Sequence, residues 1–483
     1  MKKYFSFKLL LLAGFIIASS CGNSSFAGPF DGKYIKKVKD AVVDKVEDAK
    51  DFVVDKAGDV KDFVVDKAGD AKDFVVDKAG DVKDFVVDKA GDVKDFVVGT
   101  AGEVKENVKN AYSNATSKIN KLFNRGGVPS YVVEHIFIPG HDTKEMVCQG
   151  IAYLPDKVMN PSEQPDGSYH RYVLLSYYPY SDDNEQPSQL VVIDRKTGEP
   201  VKRFPLYKKS GKPYRGHAGG VAVVGKYVWV VSGRCLYGFS TQEILNFISD
   251  TKTEPKAEKG LPDCFDKLPA YRLTAMADYD VDTKASYISF DGKYIWVGDF
   301  AKGFGSSYSP IAHHKVLGKN AWVAGYKVDS DGYPTSTVEY SYKDGKDTEN
   351  AHKPDAIIAI RDFVQGMAFT ENHVALSISM GPINSKLAFY KNPMNSEPEK
   401  ITYKPEGCDQ SFTVDAWVLK NLKNWDKTVK YSCGSEDLEY DGRYLYVTFE
   451  CSSKCYNQSW KNINPTVKMT EDFYIIDPTK IVK

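Results

Sequence analysis

The sequence has almost no net charge, and this absence excludes one large class of function. Its 64 Lys and Arg residues balance 65 Asp and Glu residues, which leaves a formal net charge of −1 at pH 7. Proteins that bind nucleic acid carry a basic surface, because contacts with phosphates supply much of the affinity. We therefore expect no nucleic-acid partner.

The sequence also lacks the short motifs of several enzyme families. It contains no GxSxG nucleophile elbow, no phosphate-binding loop, no HExxH pair and no paired CxxC motif. These absences do not exclude an enzyme, because a catalytic site can be assembled from distant parts of a chain.

The apolar core near the N-terminus is too short to be a comfortable membrane span, and the chain has no second apolar run long enough to span a bilayer. Residues 1–27 have the basic start and short apolar core (Leu9–Ala18) of a secretory signal peptide. Cleavage after Ala27 satisfies the small-x-small rule, whereas the segment ending at Cys21 resembles a bacterial lipobox. We expect an exported protein that is secreted, periplasmic or on the outer surface, and lipid-anchored if Cys21 is lipidated.

Cysteine is sparse for an exported chain. Of eight cysteines one is Cys21, so seven remain and at least one should be a free thiol. Proximity in sequence favours the disulfides Cys235–Cys264, Cys408–Cys433 and Cys451–Cys455.

Residues 28–127 are dominated by an 11-residue repeat. The unit KDFVVDKAGDV starts at Lys50 and recurs from Lys61, Lys72, Lys83 and Lys94, with decayed copies extending the pattern over residues 39–115. Eleven residues make three helical turns at about 3.67 residues per turn, so each position keeps its place around the helix. The apolar residues then form one arc with lysines at its margins and acids opposite. The pattern predicts a long amphipathic α-helix.

This arrangement suits attachment to a lipid surface, because lysine stems can snorkel while the apolar arc enters the headgroup boundary. It resembles the class A helices of exchangeable apolipoproteins and the synucleins, and the KAGD core is similar to repeats of group 3 late-embryogenesis-abundant proteins. The resemblance implies a membrane or another apolar surface as the partner of residues 39–115. Self-association through a right-handed supercoil and a spacer role are the alternatives.

Residues 128–483 repeat on a longer scale. Five segments share one pattern: small or polar residues, then an apolar strand, a turn, and a second strand that is rich in aromatic residues. The segments recur every 67–79 residues. They are aligned at Gln149, Gly219, Ser286, Gln365 and Glu436. Each repeat has room for about four strands, the size of one β-propeller blade. A β-sandwich is the alternative.

The sequence also predicts how the ring of blades closes, because one predicted strand has no partner and the last repeat lacks a fourth strand. A strand-like segment from Tyr131 precedes the first repeat and lacks a partner, whereas the last repeat has room for only three strands. We predict a mainly β fold, a five-bladed β-propeller closed by this N-terminal strand and preceded by the helical repeat region.

This part resembles secreted bacterial propellers of the lactonase, gluconolactonase and strictosidine-synthase-like group. The resemblance implies a Ca²⁺ ion at the axis, held in that group by Glu, Asn and Asp. Of the five aligned positions in this chain, only Glu436 is acidic.

Polar residues at the start of the innermost strands should meet at one mouth of the channel. These are Gln149, Gln365, Glu436 and Asp437, with His217 on a nearby loop. Their oxygens could bind Ca²⁺ or another ligand. Alternatively Glu436 and Asp437 provide a general base and His217 an acid, or the groups only hydrogen-bond one another.

Three weaker candidates are expected to be mostly solvated. They are the strand-end acids Asp299 and Glu450, the acidic run Asp278, Asp280 and Asp282, which could form a calcium loop, and the adjacent pair His313-His314. Taken together, the sequence favours a surface-associated binding protein whose propeller binds a ligand or protein. A calcium-dependent lactonase or esterase is the alternative.

Overall fold

The structure is a computed structural model that describes residues 128–163, 167–181, 183–255, 258–303, 308–420, 423–451, 453–464 and 466–482. These residues lie in one compact unit, Val128–Lys483. The predicted signal peptide, Cys21 and the 11-residue repeats lie outside the described residues. Within the part that is described, no helix has the length and apolar character needed to cross a membrane.

The described chain forms five antiparallel blades, as predicted. Strand β1 (Val132–Phe137) precedes the first blade. Blade 1 contains β2 (Met146–Leu154), β3 (Tyr172–Pro179), β4 (Gln189–Asp194) and β5 (Glu199–Tyr207). Blade 2 contains β6 (Gly220–Val224), β7 (Tyr227–Ser232) and β8 (Cys235–Ser240); helices α1 (Thr241–Ile248) and α2 (Asp263–Asp266) and the short strand β9 (Leu273–Thr274) precede its outer strand, β10 (Ala277–Asp280).

The remaining blades carry longer excursions. Blade 3 contains β11 (Tyr287–Phe290), β12 (Tyr294–Gly298) and β13 (Ala321–Lys327), then a hairpin of β14 (Glu339–Asp344) and β15 (Asp347–His352), and the outer strand β16 (Ala356–Ile360). Blade 4 contains β17 (Val364–Phe369), β18 (His373–Ile378) and β19 (Asn384–Lys391); the chain leaves it as β20 (Glu399–Tyr403) and β21 (Phe412–Val418) before returning as β22 (Trp425–Cys433). Blade 5 contains β23 (Ser435–Tyr440), β24 (Leu445–Phe449), helix α3 (Lys454–Ile463) and β25 (Asp472–Ile476).

The N-terminal strand closes the ring. Strand β1 pairs antiparallel with β25, so that the fourth strand of blade 5 comes from the start of the propeller. Ile136 and Ile138 anchor this segment, with 3% and 0% of their surfaces exposed. The prediction from the orphan strand and the gap is confirmed.

The outer strand of blade 3 is not the next strand along the chain. That place is taken by β16, and the segment after Asp331-Gly332 forms the β14–β15 hairpin. The reason is that β16 lies between β13 and β21 and is buried along its whole length, which suits its sequence AIIAI. Strand β14 alternates between exposed and buried residues, as a surface hairpin should.

Each pair of neighbouring blades shares its own apolar core. Trp296 and Met367 belong to the cluster between blades 3 and 4, whereas Trp229 and Ile288 belong to the cluster between blades 2 and 3. Central strands are therefore covered on both faces, and β4 is buried throughout. This explains why the strands read as nearly continuous apolar runs.

Glycines let the innermost strands approach one another around the axis. A Cβ added to Gly150 would lie 2.5 Å from the Ser176 hydroxyl and 2.9 Å from the Val221 amide nitrogen. A Cβ added to Gly366 would lie 2.6 Å from the Glu436 carbonyl oxygen. Backbone contacts between blades thus close the middle of the axis and leave polar side chains at its ends.

Candidate functional site

Three of the five innermost strands have an irregular pairing register at equivalent positions of the aligned repeats. The pairing register shifts between Cys148 and Ile151 in β2, between Val364 and Gly366 in β17, and between Ser435 and Leu438 in β23. A β-bulge adds a residue to one strand and re-aims its side chain, and bulges are common beside binding sites. The bulged segments contain Gln149, Gln365 and Glu436, so the irregularity places the predicted mouth residues together.

Two amides and two carboxyl groups form what we call the axial cluster, Gln149, Gln365, Glu436 and Glu450. The Gln365 Nε2 atom donates to Glu436 Oε1 at 3.1 Å, and the Gln149 Nε2 atom donates to Glu450 Oε2 at 3.2 Å. Glu436 and Glu450 also hydrogen-bond each other. Only 3% of Glu436 and 7% of Gln149 is exposed. Glu450, expected to be solvated, is instead a member of this cluster.

The two carboxyl groups share a strongly perturbed environment. Burial raises the pKa of Glu436 well above its ordinary value, and the neighbouring Glu450 raises it further. Burial also raises the pKa of Glu450 to about 7, although the hydrogen bonds with Gln149 and Glu436 oppose this shift. Two carboxylates in contact do not ionise together readily, so the pair retains a proton near neutral pH.

Asp437 lies deeper than the mouth, contrary to the prediction. Its side chain is fully buried, and its Oδ2 atom accepts the backbone amide of Val221 at 3.0 Å and that of Ile151 at 3.4 Å. Burial raises the pKa of this carboxyl well above its ordinary value. Asp437 thus joins the inner strands of blades 1, 2 and 5 through its Oδ2 atom, whereas its buried Oδ1 atom has no hydrogen-bond partner among the described residues.

Aromatic side chains form the rim of the mouth. The ring of His217 stacks on Tyr178 at a centroid distance of 4.3 Å, and the Tyr178 hydroxyl lies 2.9 Å from that of Tyr456 on α3. Desolvation lowers the pKa of His217, although the residue is exposed at the surface. Within the described chain, no side-chain hydrogen bond joins His217 to Glu436 or Asp437. The role of these three residues as an acid–base set stays a prediction.

The remaining acidic candidates lie in different parts of the structure. Asp278 and Asp280 are exposed on β10, at the outer edge of blade 2. Asp282 is fully buried, as is Asp299, whose Oδ2 atom lies 2.7 Å from the Nδ1 atom of His314. The acidic run therefore does not form a calcium loop, and Asp299 does not reach the axial mouth.

His313 and His314 are buried, so the expectation of a polar surface loop is wrong. Only 8% of His313 and none of His314 is exposed, and both rings lie against Asp282. Burial alone would raise the pKa of Asp282, but the hydrogen bonds of the two histidines hold it below its ordinary value. Little in the sequence indicates that these three residues meet, because Asp282 and the histidines are about 30 residues apart and belong to different segments.

The predicted disulfides are also corrected. All seven cysteines of the described chain are free thiols. Cys433 and Cys451 are both buried in the core between blades 4 and 5, and the Cys451 thiol donates to the Thr470 carbonyl oxygen. Cys408 belongs to a different cluster, beside the β14–β15 hairpin. Proximity in sequence was misleading here, because the blades bring distant strand ends together.

Comparisons with known proteins separate the two parts of the chain. Residues 30–112 match the family model described as the Cold-regulated 15 domain, which is late-embryogenesis-like and overlaps the 11-residue repeats. No curated protein matches the chain. Among solved structures, a glucose dehydrogenase is similar at 10% identity over 68% of this chain and 95% of that chain, but its TM-score of 0.22 is too low to carry an argument. The family model thus matches residues within the repeat region, and residues 128–483 form a β-propeller.

Proposed function

We propose that this is an exported, surface-associated binding protein. The repeats over residues 39–115 attach the chain to a membrane or another apolar surface, and the propeller binds Ca²⁺ at the axial cluster, where it presents a ligand-binding face. The match of residues 30–112 to a late-embryogenesis-like family supports a surface role for the repeats.

The observation that carries the proposal is the pair of hydrogen bonds that the Gln365 amide donates to Glu436 at 3.1 Å and the Gln149 amide donates to Glu450 at 3.2 Å. These four side chains form a donor set that consists of carboxyl and amide groups, and Ca²⁺ prefers such oxygen ligands. In the hydrogen bonds described above, each Gln side chain donates through its amide nitrogen. Rotation of the side-chain amide by about 180° would present its oxygen to a cation instead. A divalent cation that replaces the shared proton would neutralise both carboxylates.

Calcium titration of the full-length protein tests the axial part of the proposal. After treatment with a chelator, calorimetry at about pH 8 should detect about one equivalent of Ca²⁺, and Ca²⁺ should raise the melting temperature. Glu436→Gln should abolish both effects. Glu439→Gln is the matched control, because Glu439 is buried on the same strand but has no contact with the axial cluster among the described hydrogen bonds. Absence of binding, or equal binding by Glu436→Gln, would reject the calcium site.

Circular dichroism of the full-length protein with liposomes tests the surface part. A rise in helical signal on adding anionic or neutral liposomes would support attachment through the repeats, since an amphipathic helix of this kind folds as its apolar face enters the interface. High helicity in buffer that lipid does not change would instead indicate self-association of the repeats.

A hydrolase is the second candidate, and one observation favours it. Glu450 has a pKa raised to about 7, in the range where a general acid or base is most effective. In this hypothesis the acid–base pair is Glu436 and Glu450, not the predicted set with Asp437 and His217. A panel of lactones and esters should then be hydrolysed by the wild-type protein and not by Glu450→Gln; equal rates for the two proteins would reject the hypothesis.

A further inference from the structure

Two adjacent histidines and one aspartate meet in the interior, outside the axial cluster. Asp282 follows β10, whereas His313 and His314 form a 3₁₀ turn, Ala312–His314, in the connection between β12 and β13. The three side chains are 0%, 8% and 0% exposed. Within the described chain, they form the one group of three or more potential metal ligands whose donor atoms lie within 4.8 Å of one another.

The donor atoms have the spacing of a metal site. The His313 Nε2 atom lies 2.9 Å and 3.0 Å from the two carboxylate oxygens of Asp282, and the His314 Nε2 atom lies 3.2 Å from Oδ1 of the same carboxylate. Ligand atoms bound to Zn²⁺ at about 2.0–2.2 Å in a tetrahedral arrangement are about 3.3 Å apart. Small movements of the three side chains would therefore admit the ion.

The turn solves the geometric problem that neighbouring histidines usually pose. In an extended segment their rings would point in opposite directions, but the 3₁₀ turn sets them at 83° with a centroid distance of 4.6 Å. Both Nε2 atoms then approach the same carboxylate. The Nδ1 atom of His313 has no hydrogen-bond partner among the described residues, which is consistent with the neutral ring that a metal requires.

Surrounding groups orient the ligands as they do in metal sites. Asp299 lies 2.7 Å from the Nδ1 atom of His314, an arrangement that fixes the tautomer so that Nε2 faces the ion. The indole of Trp322 stacks on His314 at 4.0 Å and donates to the Asp282 carbonyl oxygen at 3.0 Å. The Tyr340 hydroxyl also hydrogen-bonds the Asp282 carboxylate, so a phenol oxygen is available next to the three ligands.

We propose that Asp282, His313 and His314 bind Zn²⁺ as a closed structural site, with the Tyr340 oxygen beside the fourth position. Imidazole nitrogens and a single carboxylate favour Zn²⁺ over Ca²⁺ or Mg²⁺, which prefer sets of oxygen ligands. Complete burial favours a structural over a catalytic role, because a catalytic zinc needs an open position for water or substrate. The ion would tie the connection between β12 and β13 to the end of blade 2 and to the β14–β15 hairpin.

Metal analysis of the full-length protein tests this site. The protein is stripped with a chelator, equilibrated with Zn²⁺ and freed of excess ion, and a parallel sample is loaded with Co²⁺ for its visible spectrum. We expect about one equivalent of bound zinc, a higher melting temperature than that of the stripped protein, and a Co²⁺ spectrum of tetrahedral type. Less than a tenth of an equivalent in the wild-type protein would overturn the proposal.

Variants assign the ion to these residues. His313→Gln and Asp282→Asn should lose zinc, and Asp299→Asn should bind it about 10–100-fold more weakly, because it removes only an orienting contact. His373→Gln is the matched control: His373 is 5% exposed and its Nε2 atom lies 2.9 Å from the partly exposed carboxylate of Asp426, without a second histidine in the contact. It should keep the full equivalent.

Equal zinc content in His313→Gln and the wild-type protein would place the ion elsewhere and overturn the proposal. If Asp282→Asn fails to fold, the decision rests on Asp299→Asn, which keeps every ligand. Unchanged zinc affinity and an unchanged Co²⁺ spectrum in Asp299→Asn would contradict the site.

Discussion

Replacement of Glu450 by glutamine should stabilise the propeller above neutral pH and leave its stability nearly unchanged in mild acid. In the folded protein, burial raises the pKa of this carboxyl from 4.5 to about 7. Between these two values the folded state binds more protons than the unfolded state, so the free energy of unfolding falls as the pH rises. Glutamine cannot ionise and therefore avoids this loss.

The size of the effect follows from the shift in pKa. Each unit is equivalent to about 1.36 kcal/mol, so a shift from 4.5 to about 7 destabilises the wild-type protein by at most about 3.4 kcal/mol once the pH exceeds about 7. The difference in stability between Glu450→Gln and the wild-type protein should grow from near zero at about pH 4 to about 3 kcal/mol at about pH 8. Because Glu450 also raises the pKa of Glu436, the difference reports the titration of the pair.

Urea unfolding followed by tryptophan fluorescence measures this difference on the full chain. The repeats contribute no signal, because all six tryptophans lie in the propeller, at positions 229, 296, 322, 417, 425 and 460. EDTA removes divalent cations that would mask the effect. Glu199→Gln, at the exposed start of β5, is the control and should show no pH-dependent difference. A difference for Glu450→Gln that stays constant across this pH range would refute the assignment of a raised pKa to Glu450.

Other consequences of the structure can be tested in the same way. Gly150→Ala should cost about 1–3 kcal/mol in urea unfolding, because the added Cβ would lie 2.5 Å from a side-chain oxygen in blade 1; a neutral result would show that the axis is less tightly packed. Ile138→Ala should cost about 2–5 kcal/mol by weakening ring closure, whereas Val133→Ala, at a residue 41% exposed, should change stability by about 0.5 kcal/mol or less. Deletion of residues 61–71 removes about three helical turns and should preserve liposome binding, whereas deletion of 61–65 rotates the downstream apolar arc by about 130° and should weaken it; equal binding would contradict the amphipathic-face hypothesis.

Local sequence patterns were sufficient for the number of blades and the closure of the ring. Apolar strands that alternate with turns recur at a nearly constant spacing, and each blade must bury both faces against its neighbours. The unpaired strand from Tyr131 and the short last repeat together predicted the pairing of β1 with β25. The positions of Gln149, Gln365 and Glu436 followed from the same alignment, because equivalent positions in the blades lie at equivalent heights on the axis.

The remaining features depend on contacts that the repeat pattern does not encode. The outer strand of blade 3 is β16 because β21 covers its far side, and β21 arrives from an excursion out of blade 4. Glu436 and Asp437 both lie in the bulge of β23, yet Asp437 accepts the backbone amides of Val221 and Ile151, whereas Glu436 accepts from the Gln365 amide.

The sequence by itself determined the repeat architecture of this protein, and only the tertiary structure decided which side chains meet. The cluster of Asp282, His313 and His314 unites two segments that share no periodicity, and the contact of Cys433 with Cys451 unites the ends of two strands. Periodicity reports which face of a strand or helix is apolar, since burial of that face is a local requirement. Polar clusters instead depend on the three-dimensional course of irregular connections, whose conformation is set by the blades that they join.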